Sequence, residues 1–66
     1  MKKFHNIERI VAEELLFELV YRGYKVIVEK GRDDPNTYDF FIPEENGIEE
    51  ETFKTLKTIA YRQLWL

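Results

Sequence analysis

Along residues 4–21, FHNIERIVAEELLFELVY, apolar side chains return every three or four positions, and neither glycine nor proline interrupts them. That spacing is the signature of an amphipathic helix, and Ala, Leu and Glu are strong helix formers. Phe4, Val11, Ala12, Leu15, Leu16, Leu19 and Val20 share one broad face, which is expected to meet the core; Asn6 is a candidate N-cap. Ile7, Ile10, Phe17 and Tyr21 make a second stripe, either buried under another element or held for a partner. Gly23 supplies the left-handed geometry that ends such a helix.

The period then changes to two. In YKVIVEK, residues 24–30, Tyr24, Val26 and Val28 alternate with polar positions as in a strand, and TYDFFI, residues 37–42, repeats the pattern with Tyr38, Phe40 and Ile42 inward. Pro43 stops the second strand. Beyond the EENG turn the helical period returns, with Phe53, Leu56, Ile59, Ala60 and Leu64 in one stripe. A third strand from TIAYRQLWL is the alternative, because Thr, Ile, Tyr and Trp suit strands. Tyr61 and Trp65 fall off the stripe, as closing core residues or as interface aromatics.

The predicted fold is α+β: one α-β-β-α domain over residues 1–66, two helices packed on a β-hairpin. A lone hairpin is marginal in water, and a chain of 66 residues buries a modest core. Without cysteine, disulfides cannot supplement that core. Homodimerisation into a four-stranded sheet is therefore expected. No apolar run approaches the roughly 18 residues of a membrane span, and no signal-peptide pattern follows Met1, so a soluble, cytoplasmic protein is expected.

Charge changes the picture more than composition does. Net charge is −3, yet the segment from Asp33 to Glu51 holds eight acids and no lysine or arginine, leaving +5 on the remainder. Glu49, Glu50 and Glu51 would begin the second helix, where carboxylates interact favourably with the macrodipole. Glu44, Glu45, Asp33, Asp34 and Asp39 have no such local reason, and like charges crowded together repel.

Catalytic and cofactor chemistry finds little support. His5 is the single histidine, and a zinc site would need at least three protein ligands. GRDDPNTYD gathers Asp33, Asp34, Asn36 and Asp39 but lacks the alternation and distal glutamate of a calcium loop; its Asp and Asn suit a turn bonded to the local backbone. A helix followed by RGYKVIVEK and YDFFI is similar in layout to the opening of restriction-endonuclease-like nucleases. That resemblance implies a metal-binding role for Asp39, with Glu14 as a helix acid. It covers half the chain, and the Glu-x-Lys strand motif of those nucleases is missing.

The expected function is non-enzymatic protein binding, without cofactor or metal. Asp33, Asp34, Asp39, Glu44, Glu45, Glu49, Glu50 and Glu51 are expected to form an acidic surface that occupies the basic groove of a nucleic-acid-binding protein, binding no nucleic acid directly. In size and charge the chain resembles small acidic phage-encoded inhibitors that imitate DNA. The alternative is an adaptor binding through an apolar helix face, with Ile10, Phe17, Tyr21, Tyr61 and Trp65 as its contacts.

Overall fold

The computed structural model describes residues 1–64. Two helices cover one face of a three-stranded antiparallel sheet, in the order β1 (Lys2–Glu8), α1 (Arg9–Tyr21), β2 (Ile27–Lys30), β3 (Thr37–Ile42), a 3-10 turn (Glu44–Asn46) and α2 (Glu50–Leu64). The sheet order is β1-β3-β2, so β3 is central and the two other strands are edges. No helix among the described residues is long and apolar enough to cross a membrane.

The α+β class, the second strand of the hairpin and α2 are as expected; the hairpin's first strand pairs only over Ile27–Lys30 of the expected 24–30, and residues 4–8 depart altogether. Residues 4–8 form a strand rather than the start of a helix, and Asn6 caps nothing: α1 begins after Glu8, with no side-chain cap. The cause lies in the register. Phe4 pairs with Phe40 and Ile7 with Tyr38, so three steps along β1 match two along β3. The extra residue is a bulge at Asn6, whose φ of 60° is left-handed, a region that Asn tolerates better than most residues. In a regular strand, residues three apart face opposite ways. The bulge turns Phe4 and Ile7 to the same side, and their spacing then reads as helical.

Phe4 stacks on Phe53 of α2 at 3.7 Å between ring centroids, and Phe40 meets the same ring edge-on at 6.1 Å. Around these rings the core draws Ile7 from β1, Val11, Leu15 and Leu19 from α1, Ile42 from β3 and Leu56 from α2. Val20, expected in the core, is 58% exposed, because α1 rests on Val11, Ala12, Leu15 and Leu19 and Val20 lies beyond that arc.

The stop after α1 follows local chemistry. Gly23, at φ 90°, donates its N–H to Val20 O at 3.0 Å, and Tyr24 N–H donates to Leu19 O at 3.0 Å. These two bonds form a Schellman motif, which satisfies carbonyls the helix leaves open. Tyr24 and Leu19 then meet in the core, and the chain enters β2.

Because one Phe53 ring serves both partner rings, Phe53→Ala is expected to cost about 3–5 kcal/mol, most of the stability a domain this size holds. Urea denaturation followed by circular dichroism measures it; a loss below about 1 kcal/mol would show that the aromatic cluster is not central to the core.

Candidate functional site

The acidic block does not form one surface. Asp33 and Asp34 occupy the exposed β2-β3 loop, whereas Glu44, Glu45, Glu49, Glu50 and Glu51 lie beyond the other end of β3. Six strand residues separate the groups, about 20 Å at the usual rise. Asp34 builds its own turn: its side chain accepts a bond from Asn36 N–H at 2.9 Å, and its carbonyl accepts bonds from the Thr37 hydroxyl and amide. Gly31 opposite must be glycine, since a Cβ there would run into the Asp34 carbonyl and Thr37.

Asp39 belongs to neither group. Its residue is 4% exposed, on the sheet face that carries no helix. Oδ1 accepts a bond from Asn6 N–H at 3.2 Å, Oδ2 accepts one from Arg32 N–H at 3.4 Å, and His5 Nδ1 lies 3.3 Å from Oδ2. The carboxylate thus ties the β1 bulge and the β2-β3 loop to the central strand. Its expected place in an exposed acidic surface is corrected by this burial. Partial desolvation pushes the Asp39 carboxyl up, but the Asn6 amide, His5 and the Arg32 amide together hold it below its usual 3.8. The sequence places this aspartate alone among the acids inside the 37–42 strand, but not its burial, because its partner Asn6 is 33 residues away.

The same geometry bears on the nuclease layout. Glu14 is on α1, which packs on one face of the sheet, while Asp39 is on the other, so the two acids do not converge. Among the described residues no three His, Cys, Asp or Glu side chains gather where they could hold a metal ion.

The five glutamates are all exposed. Glu44 and Glu45 lie in the 3-10 turn, which Gly47 closes in the left-handed region at φ 65°; Glu50 and Glu51 open α2. Glu45, Glu49, Glu50 and Glu51 have no ion-pair partner among the described residues. Glu50 shares a shallow groove with Lys3, Lys54 and Lys57, and Glu51 shares one with Arg22, which offsets part of their field.

The apolar stripe of α1 is uncovered. Ile10, Phe17 and Tyr21 are 59, 69 and 81% exposed, and Val20 joins them. Ile7, placed on that stripe by its spacing, is instead buried from β1. Tyr61 is half-buried against the core; burial first, and then the neighbouring Glu8 carboxylate, push its phenol up. Trp65 lies outside the described residues.

Compared with protein-family models, curated proteins and solved structures, the chain finds no match.

Asp39 ionises more readily in the folded chain than in the unfolded one, so it contributes stability above its ordinary range that is lost as pH falls through its lowered folded value. Asp39→Asn is expected to be less stable than the native chain at pH 7, with the gap closing as pH falls through the lowered folded value of Asp39. Urea melts at several pH values test this; parallel curves for the two proteins would refute the role.

Proposed function

We propose that the protein is a non-catalytic binding module whose acidic end engages the basic, nucleic-acid-binding surface of a partner protein and inhibits it. The observation that carries this reading is the cluster of Glu44, Glu45, Glu49, Glu50 and Glu51, all exposed within eight residues of one end of the molecule. Helix placement accounts for Glu50 and Glu51, whose charges favour the N-terminus of α2. Glu44 and Glu45 stand outside the helix; Glu44 meets the Met1 ammonium at 3.0 Å, so among the described residues Glu45 is the one of the two without an ionic partner, and there the functional reading has most to explain. Charge of this kind steers association and makes affinity fall with salt.

A second reading has an observation of its own: the exposed Ile10, Phe17, Val20 and Tyr21 suit an adaptor that binds through α1, since clustered apolar residues on a surface mark contacts. Self-association also belongs to the proposal, because a small core gains stability from a second copy. With three strands in each protomer, a sheet continued across two copies would have six strands rather than the four expected from a bare hairpin.

Immobilised protein is expected to retain nucleic-acid-binding proteins from a bacterial lysate at 50 mM salt and release them by 200 mM, and the released proteins are expected to lose DNA or RNA binding when the module is added back. Glu44→Lys with Glu45→Lys, outside any helix, is expected to weaken capture at least about tenfold without unfolding the chain. Retention that ignores salt and both reversals would replace this reading with the apolar adaptor.

A further inference from the structure

We propose that two copies of the chain join through β2, edge to edge and antiparallel, with Ile27 on the twofold axis. This names the surface for the self-association included above, and it stands independently of the acidic end.

The two edges of the sheet differ. β1 carries the Asn6 bulge, a feature that keeps an edge from pairing. β2 has no bulge and no proline. Its Ile27 is 48% exposed on the face without helices, flanked by Lys25 and Glu29, and neither flanking charge has an ion-pair partner among the described residues. On the helix face, Tyr24, Val26 and Val28 pack half-buried against the core, so the alternation continues upstream of the strand paired with β3.

Backbone groups on β2 are free to pair. Gly31 N–H donates to Thr37 O at 2.7 Å, and bonded pairs alternate along an antiparallel ladder. Glu29 and Ile27 therefore turn their amides and carbonyls toward β3, while those of Val28 and Lys30 point away from the sheet. An open edge of this kind is a template for another strand.

The sequence of this edge is complementary to its own reverse. About Ile27, KVIVE sets Lys25 opposite Glu29 and Val26 opposite Val28, each twice; Tyr24, whose N–H is held by Leu19 O, lies outside this pairing. Opposite charges then meet on the outer face and valines on the inner face, both favourable cross-strand pairs. Moving the register by one residue brings Lys25 against Lys30 and sets inner positions against outer ones. A groove of about 360 Å³ beside the strand, bordered by Leu16, Glu13 and Val28, lies where the partner's first helix would come alongside.

Antiparallel joining also has a consequence for charge. It places the Asp33–Asp34 loop of one copy at the same end of the joined sheet as Glu44 and Glu45 of the other. The acids that β3 holds apart within one chain are thus brought to a common rim.

Sedimentation equilibrium of the full chain tests the interface. The native chain is expected to be dimeric; Lys25→Glu, which sets glutamate against glutamate twice, is expected to raise the dissociation constant at least about tenfold. Adding Glu29→Lys to it should restore dimerisation to within about threefold. Circular dichroism checks that these exposed changes leave the fold intact. A native chain that stays monomeric to about 100 µM (near −5.5 kcal/mol by the usual conversion) overturns the proposal, as does a dimer indifferent to Lys25→Glu or one that the double exchange does not restore. Lysate capture through Glu44 and Glu45 is read separately on the Lys25→Glu variant, so failure of the dimer and failure of the acidic reading give different results.

Discussion

A strand that must turn two residues three apart toward the same side needs one extra residue between them, and β1 accommodates it at Asn6. The resulting left-handed backbone is held by the Asp39 carboxylate, which accepts the Asn6 amide at 3.2 Å. Much of the molecule depends on this contact. It brings Phe4 against Phe53 and Ile7 into the core, and it gives β3 a neighbour on both sides. Without β1 the sheet would be a hairpin, and a hairpin under two helices is a thin structure in water. A buried carboxylate is costly unless its oxygens are bonded, and here two amides and a histidine share that task. The same bonds that relieve Asp39 hold the bulge.

The surfaces left over are of two kinds. One end of the molecule presents five exposed glutamates, while the outward side of α1 presents Ile10, Phe17, Val20 and Tyr21. Carboxylates at the start of α2 favour the helix, but Glu44 and Glu45 lie outside it. The apolar residues of α1 add nothing to a core that Val11, Ala12, Leu15 and Leu19 already fill. Charge of the first kind acts at long range and is screened by salt, whereas apolar surface of the second kind gains only from direct burial.

The candidate site was only partly legible. Exposure of Glu44, Glu45 and Glu49–Glu51 follows from a charge run around a glycine turn, and the turn built by Asp34 follows from its neighbours Pro35 and Asn36. The burial of Asp39 was not legible from its place in the 37–42 strand, because what holds it is the amide of a residue 33 positions earlier. Separation of the two acidic groups follows from the length of β3, yet their distance matters only once the strand is known to run straight between them.

The sequence by itself determined whatever short-range chemistry controls: the glycine stop after α1, a strand within residues 24–30 and another at 37–42, and the stripe of Phe53, Leu56 and Ala60 that buries α2. Each depends on residues within a turn or two of one another. Tertiary structure alone decided the fate of residues 2–8. Their spacing of Phe4 and Ile7 fits a helix and a bulged strand equally well, and the choice falls to β3, which supplies both the ladder and the carboxylate that holds the bulge. It also decided that Val20 remains outside, since periodicity defines a helix's apolar face while the position of the packed sheet and α2 defines how much of that face is covered.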